Sequence, residues 1–289
     1  MSKVAVVTDS SASIPEDMIK ELNIHTVAYY IHRGQEALRD LVTIQRDEFL
    51  RWLRTAKVLP TTASPGPGDY LSAYEKLVKE DGAQEIVSIH MTSIGSGAYQ
   101  AAKVAQSMAQ EQMPDVHIEV VDTLNAAMCH GWMAIEAARA ALAGMRLEAI
   151  VALVKKMIPV SRFIHTADTL KYLYMGGRIG LAKNLVGTLL NIKPLISMTD
   201  GVIVPLGTAR SRQKAYQKMV DLVEAAVGPF GKIKIAYTHA GAFEEVKKIK
   251  ALVEKRLTCV ESIFAELSPV LAVHTGPGTA GLCYFPVGT

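Results

Sequence analysis

The chain has 289 residues, of which 49% are hydrophobic and 20% are charged. This composition is typical of a folded globular protein and excludes disordered and low-complexity architectures. Lysine and arginine (31) nearly balance aspartate and glutamate (28), and a net charge of +3 argues against nucleic-acid binding, which needs a concentrated basic face.

In the first half of the chain, short β-branched segments alternate with helical patterns. Strands are predicted at 4–8, 25–31, 85–91 and 117–121, and helices at 13–22, 46–56, 69–80, 97–113 and 126–143. Ser13 and Glu16 have the spacing of a capping box at the start of the first helix. The segment 60–67, with three prolines, is predicted as a loop. This alternation predicts a mostly parallel sheet covered by helices, in an N-terminal domain of residues 1–158.

The second half has a different pattern and is predicted as a separate domain, residues 159–289. A helix at 147–158 ends at Pro159, which we take as the boundary. Further helices are predicted up to 175 and at 181–191, 212–227 and 243–257, and strands at 163–166, 192–198, 202–205, 233–237, 260–267, 270–273 and 282–285. Asp200-Gly201 between two apolar runs is a strong hairpin signal, so this mixed α/β domain contains an antiparallel part. The whole chain is therefore predicted to be a two-domain α/β protein.

The sequence lacks the patterns of a metal site, a membrane span and a secreted protein. The histidines lack metal-ligand spacing such as HExxH, so no metal is predicted. No uncharged apolar stretch reaches the length of about 18 residues that indicates a membrane span. Three cysteines, far apart and without a CxxC pattern, favour a reducing compartment, and the apolar run at 4–7 is too short for a signal peptide. We therefore expect a cytoplasmic protein.

Three segments combine small hydroxylated residues or glycines with a predicted strand end: 61–65, 92–97 and 274–278. Ligands of α/β proteins bind beside the carboxyl ends of strands, and helix N-termini attract anions. Together these segments favour a small oxyanion, either a carboxylate or a phosphate. The segment 92–97 has no lysine, so it is not a Walker phosphate loop. Helix capping and a tight turn remain an alternative interpretation of the same residues.

Several short motifs occur in a specific order along nearly the whole chain. They are Val7-Thr8-Asp9-Ser10, Thr61-Thr62, Pro65-x-Pro67-Gly68-Asp69, Thr92-Ser93-x-x-Ser96-Gly97-x-Tyr99, Val120-Val121-Asp122-Thr123, Leu170-x-Tyr172-Leu173-x-x-Gly176-Gly177-Arg178-Ile179, Lys193-Pro194-Leu195 and His274-Thr275-Gly276-Pro277-Gly278-x-x-Gly281. In these motifs the chain resembles the DegV family of bacterial fatty-acid-binding proteins.

The resemblance implies a long-chain fatty acid, such as palmitate, buried between or within two α/β domains. By motif position, Thr62 and Ser93 are expected to hold the carboxylate, with the imidazole of His274 beside it. The other head-group contacts expected from the resemblance are Thr92, Ser96 and Gly276. No cofactor is expected besides the bound acid.

The resemblance further implies a carrier and not an enzyme. In such a system a separate fatty acid kinase phosphorylates the bound carboxyl group to an acyl phosphate. Arg210, at the position of a recurring arginine of the family, is expected to help dock that kinase.

The physical chemistry is consistent with a lipid ligand. An alkyl chain gains about 0.8 kcal/mol for each buried CH₂ group, and neutral hydroxyls can hold a carboxylate without the cost of burying a cation. Two alternatives remain. One is a hydrolase or acyltransferase that uses Ser93 with His274, although the chain has no GxSxG motif. The other is a receptor for phosphate or a phospho-sugar.

Overall fold

The computed structural model describes residues 4–186 and 192–288. The strands are β1 (Val4–Asp9), β2 (Ile24–Val27), β3 (Tyr30–Arg33), β4 (Glu36–Arg39), β5 (Thr61–Ala63), β6 (Glu85–His90), β7 (His117–Asp122), β8 (Arg162–Thr166), β9 (Lys193–Thr199), β10 (Val202–Ala209), β11 (Lys232–His239), β12 (Thr258–Glu266) and β13 (Ala280–Pro286). The helices are α1 (Glu16–Glu21), α2 (Arg46–Thr55), α3 (Pro67–Asp81), α4 (Ala98–Gln112), α5 (Ala127–Leu142), α6 (Leu147–Met157), α7 (Lys171–Met175), α8 (Arg212–Val227), α9 (Phe243–Val253) and α10 (Pro269–Thr275). Short 3₁₀ helices occupy Ser10–Ala12 and Gly180–Leu185.

The strands form three sheets, and the predicted α/β class is confirmed. The first sheet is parallel throughout, in the order β2-β1-β6-β7. The second is mixed and six-stranded, in the order β10-β9-β8-β13-β11-β12. It contains the predicted hairpin, in which Asp200 and Gly201 both have the positive φ that a two-residue turn of this kind requires. The third is a small antiparallel sheet, β4-β3-β5.

One large buried core is shared by both halves of the chain. It includes Trp132 on α5 and Phe285 on β13, whose ring centroids lie 5.8 Å apart. At the edge of this core, Arg139 on α5 forms two hydrogen bonds of 2.7 Å to the Glu261 carboxylate on β12. A second, smaller buried cluster, which includes Tyr216 and Tyr237, lies wholly within the second half. The boundary at 158/159 stays a prediction, because the sheets divide there while the larger core spans both halves.

Strand predictions in the first half need two corrections. The segment 25–31 is not one strand: β2 and β3 belong to different sheets, and between them the N–H of Tyr29 donates to the Ser10 hydroxyl. The predicted loop at 60–67 contains the short strand β5, which pairs with β3 through Ile31 and Thr62.

The capping box at Ser13 is also wrong. Helix α1 begins at Glu16 after Pro15, without a side-chain cap. The Ser13 hydroxyl instead accepts a hydrogen bond from the N–H of Ser268, far along the chain.

The second half needs two corrections. The predicted strand at 270–273 is helix α10, so His274 lies in the last turn of a helix. The buried carboxylate of Asp40 accepts the N–H of Val270 in the first turn of that helix. The predicted helix at 181–191 is a 3₁₀ helix over Gly180–Leu185, and residues 187–191 lie outside the described residues.

Candidate functional site

A cavity of about 590 Å³ lies beside the carboxyl ends of β1 and β6, between them and the second sheet. This volume is typical of small-molecule sites, which measure about 300–1,000 Å³. Much of its wall is apolar, including Leu173, Phe163, Ile196, Met198, Leu267 and Val270. Hydroxyl groups and an imidazole line another part of the wall, so the cavity has the two-part character that an amphipathic ligand requires.

The centre of the polar wall is a hydrogen bond between Thr62 on β5 and His274 on α10. The Thr62 hydroxyl and His274 Nε2 are 2.9 Å apart, although the two residues are 212 positions apart in the chain. Burial, together with the charge of Arg178, lowers the pKa of His274 to about 4. The imidazole is therefore neutral at neutral pH.

The surroundings of His274 indicate which nitrogen carries the proton. Its Nδ1 is buried and has no hydrogen-bond partner within the described residues. A proton there would leave an unpaired N–H, which is rare in protein interiors. We therefore assign the proton to Nε2, which donates to Thr62. The hydroxyl hydrogen of Thr62 is then free to donate into the cavity.

A second pair of hydroxyls lines the same cavity. The Tyr29 and Ser96 hydroxyls are 2.6 Å apart, and Ser96 Oγ also accepts the N–H of Ala98 at 3.2 Å. Burial, reinforced by the Asp9 charge, raises the pKa of Tyr29 well above its usual value, so the phenol keeps its proton. Two hydroxyls that share one hydrogen bond retain one O–H for a further acceptor.

Behind this pair lies a fully buried polar network. The Asp9 carboxylate accepts hydrogen bonds from the backbone and side chain of Ser11, a cavity residue, and pairs with His90 Nδ1 at 3.0 Å. His90 Nε2 in turn bonds to Ser88 at 2.7 Å. Burial alone would raise the pKa of Asp9, but the interaction with His130 and the hydrogen bond with His90 hold it below its usual value. The carboxylate therefore stays ionised and holds Ser11 in place.

The loop 92–97 does not offer the free N–H groups expected of an anion site. The N–H of Ser93 donates to Asp122 at 3.2 Å, that of Ile94 donates to the Thr92 hydroxyl, and those of Gly95 and Ser96 donate to the Thr92 carbonyl. Four successive amides are thus already paired, which weakens the case for a phosphate receptor at this loop.

The predicted site residues fall into two groups. Thr62, Thr92, Ser96 and His274 line the cavity, where the Thr92 hydroxyl also donates to the Gly201 carbonyl at 3.2 Å. Ser93 is exposed and does not line it. A hydrolase would require a contact between Ser93 and His274, but Ser93 lies outside the cavity and the hydrogen-bond partner of His274 Nε2 is Thr62.

Gly276 and Arg210 also lie outside the cavity lining. Gly276 packs against Tyr172: a Cβ atom there would lie 2.3 Å from the Tyr172 ring. Arg210 is exposed beyond the end of β10. Within the parts of the chain that the structure describes, it makes no hydrogen bond or ion pair.

Sequence reasoning missed Ser11, Tyr29 and Arg178 as cavity residues. Arg178 is exposed but lines the cavity, and its guanidinium donates to the carbonyls of Gly176 at 2.8 Å and Gly95 at 3.4 Å. The available signal was its position directly after Gly176-Gly177, where a positive φ at Gly177 turns the chain.

The described residues lack the features of a metal site and of a membrane span. Among residues 4–186 and 192–288, no group of three or more His, Cys, Asp or Glu side chains could hold a metal ion. Over the same residues, no helix has both the length and the apolar character needed to cross a bilayer.

Comparison with known proteins gives a consistent result. The family model described as "Uncharacterised protein, DegV family" matches residues 3–287. A DegV domain-containing protein of Caldanaerobacter subterraneus is 32% identical over 284 residues, which cover 98% of this chain and 99% of that protein.

Solved structures of similar proteins share the whole fold. A fatty-acid-binding DegV family protein of Thermus thermophilus has a TM-score of 0.91 at 30% identity, covering 99% of this chain and 100% of the other. DegV of Bacillus subtilis, a fatty acid binding protein, has a TM-score of 0.85 at 28% identity, with coverage of 99% and 100%. A stearic-acid-binding protein of Eubacterium ventriosum has a TM-score of 0.86 at 25% identity, with coverage of 99% and 98%.

Proposed function

Because the chain belongs to the DegV family, we propose that it binds one long-chain fatty acid in this cavity. The observation that carries the proposal is the Thr62–His274 hydrogen bond on the wall of a largely apolar cavity. The alkyl chain lies against the apolar wall, and the carboxylate accepts the free hydroxyl hydrogen of Thr62. Neutral donors suit this position, since a cation buried with the carboxylate would have a large desolvation cost.

The second donor in this proposal is the Tyr29–Ser96 pair. It retains one O–H, so the carboxylate can accept a hydrogen bond from each of two cavity hydroxyl groups. Ser93 was the sequence-based choice for this role, but its exposed position favours Ser96 instead. Comparing Ser96→Ala with Ser93→Ala decides between them: we expect only Ser96→Ala to weaken fatty acid binding in calorimetric titrations. The reverse result would restore the Ser93 assignment.

The direct test is to identify what the protein binds. We expect native mass spectrometry of the purified chain to show a bound lipid, and solvent extraction to release a long-chain fatty acid. After lipid removal, calorimetry should show binding of palmitate with one site per chain and no binding of inorganic phosphate. A chain that carries no lipid and does not bind added fatty acid would refute the proposal.

We further propose that the protein presents the bound acid to a separate fatty acid kinase and is not itself the catalyst. Within the described residues, no carboxylate orients His274 Nδ1, so the Thr62–His274 pair lacks the third member of a nucleophilic triad there. All three cysteines are free, which suits work in the reducing cytoplasm. Arg210 is exposed and outside the cavity, so it is available to an acidic surface of the kinase.

The kinase proposal is tested by separating docking from binding. Arg210→Glu should leave the dissociation constant for palmitate unchanged, and it should slow acyl phosphate formation when a fatty acid kinase and ATP are added. Lys218→Glu, on the following helix, is the matched charge-reversal control. Equal rates for Arg210→Glu and the control would exclude this docking role.

A further inference from the structure

A histidine interrupts the apolar part of the cavity wall. His165 on β8 lines the cavity in the same region as Phe163, Ile196 and Met198. Only 3% of its surface is exposed, so it is not a solvated residue at the cavity mouth. The fatty acid proposal leaves it without a role, because the carboxylate is held by other residues.

The position of the His165 ring is determined by a row of residues across the second sheet. Ile196, His165, Gly281 and Thr238 lie directly opposite one another on β9, β8, β13 and β11. Directly paired residues of antiparallel strands point to the same face of a sheet. A Cβ atom at Gly281 would lie 2.3 Å from His165 Cδ2, so glycine leaves the space that the ring occupies.

Two contacts hold the ring in this space. His165 Nε2 and the Thr238 hydroxyl form a hydrogen bond of 2.6 Å across Gly281. The ring also stacks on Phe163, with centroids 4.9 Å apart and planes inclined by 30°. These contacts therefore fix the imidazole in the cavity wall in one defined orientation.

The second ring nitrogen, Nδ1, remains available. Cys283 also interacts with the ring, and its Sγ lies 3.9 Å from the Thr238 hydroxyl, the group that Nε2 bonds. Within residues 4–186 and 192–288, the one hydrogen bond that the ring makes at close distance is that of Nε2, and Nδ1 is not among the buried polar atoms without a partner. Since the side chain lines the cavity, Nδ1 is open to a bound ligand. A plain alkyl chain cannot pair with it, and an unpaired polar group beside a buried alkyl chain weakens binding.

We propose that His165 makes the cavity selective for fatty acids that carry a hydroxyl group within the alkyl chain. This inference rests on the proposed fatty acid function and adds a substrate class to it. A hydroxyl both donates and accepts, so it pairs with Nδ1 whether or not that nitrogen carries a proton. Thr238 acts as a positioning residue, because it holds the ring through Nε2 and leaves Nδ1 toward the ligand.

The test compares stearic acid with monohydroxystearic acids in which the hydroxyl is moved one carbon at a time. Calorimetric titration of the delipidated wild-type chain should show one isomer, or two adjacent ones, binding about tenfold more tightly than stearic acid, which corresponds to about 1.4 kcal/mol. His165→Leu should abolish this preference and keep or increase the affinity for stearic acid. Met198→Leu, another change of a cavity residue, should keep the preference.

Thr238→Val provides an independent variant if His165→Leu does not fold, since it frees the ring and should reduce the isomer preference without removing Nδ1. A wild-type chain that prefers no isomer would overturn the inference while leaving fatty acid binding intact. Retention of the full preference in either His165→Leu or Thr238→Val would also overturn it. A chain that binds neither stearic acid nor any hydroxylated isomer would instead overturn the proposed function.

Discussion

The Thr62 side chain is the residue on which the proposed carboxylate contact depends most directly. Thr62→Val keeps the shape of the side chain and removes the donor. A hydrogen bond to a charged group contributes about 1.5–3 kcal/mol. We therefore expect fatty acid affinity to fall by about 10- to 100-fold in calorimetric titrations.

Thr61 offers a matched control on the same strand. It is exposed and does not line the cavity, so Thr61→Val should leave the affinity unchanged. An unchanged affinity in Thr62→Val as well would show that this hydroxyl does not hold the ligand.

The His274 ring predicts a specific acid sensitivity. Its pKa is about 4 in the folded chain, against an ordinary value of 6.5, because burial, followed by the charge of Arg178, disfavours the imidazolium. Between these values the unfolded chain binds more protons, so this contribution to stability is lost as pH falls from about 6.5 to 4. We expect the free energy of unfolding to decrease less for His274→Gln than for the wild type when pH is lowered from 7 to 5. Urea unfolding of the delipidated chain measures this difference.

The comparison with a variant is necessary because another buried group acts in the opposite direction. Burial raises the pKa of Asp40 from 3.8 to about 6, despite its hydrogen bonds to Ser10 and Val270. The stability that protonated Asp40 provides is lost as pH rises from 3.8 to about 6. Asp40 is present in both the wild type and the variant. Equal pH dependence in the wild type and His274→Gln would contradict the assignment for His274.

At the scale of single elements, helices α7 and α10 meet closely around His274. A Cβ atom at Gly176, directly after α7, would lie 2.3 Å from His274 Nδ1. We expect Gly176→Ala to displace the imidazole from Thr62 and to lower fatty acid affinity, with the chain still folded. Binding titrations combined with circular dichroism measure both effects.

A nearby substitution separates crowding of the ring from a general change in α7. Met175→Ala alters the last residue of the helix, whose side chain is largely exposed. It should leave the affinity close to that of the wild type. If both variants bind equally well, close packing at Gly176 does not position His274.

Elements with strong periodicity or clear end signals were predictable from the sequence, whereas short elements were not. Helices α2 and α8 lie close to their predicted ranges, because their buried faces repeat at helical spacing. Helix α5 is buried on nearly every side, and the length of its apolar segment identified it as a helix. Helix α10 was mistaken for a strand because an apolar run of four residues suits either state. Pro269 in its first turn was the local signal for a helix.

The candidate site was only partly predictable for a related reason. Thr62 and His274 are identified by motif position, but the hydrogen bond between them depends on how β5 and α10 pack. Tyr29 and Ser96 meet across 67 positions of the chain, and His165 reaches Thr238 only because Gly281 leaves space. Contacts between residues so far apart in the chain produce no periodic pattern in the sequence.

For the whole molecule, the shared core predicts a single unfolding event. Trp132 and Phe285 lie in one buried cluster with residues of both halves, and Arg139 binds Glu261 at its edge. We expect the delipidated chain to unfold in urea in one transition, with coincident midpoints from tryptophan fluorescence and far-ultraviolet circular dichroism.

The alternative at this scale is independent unfolding of two domains. It would appear as two transitions, or as midpoints that differ between the two probes. Either result would support the boundary at 158/159 as a limit of cooperativity and would contradict a single folding unit.

The cavity adjoins this shared core, so its occupancy affects the stability of the protein and thereby its degradation in a cell. In the proposed complex, the acyl tail fills cavity volume that would otherwise be empty or hydrated, so it acts as an exchangeable part of the protein interior. Ligand occupancy adds to stability in proportion to the logarithm of its concentration above the dissociation constant. On the proposed function, we therefore expect newly made chains to be degraded faster during lipid starvation, so that the amount of the protein follows the supply of fatty acid without any dedicated sensor.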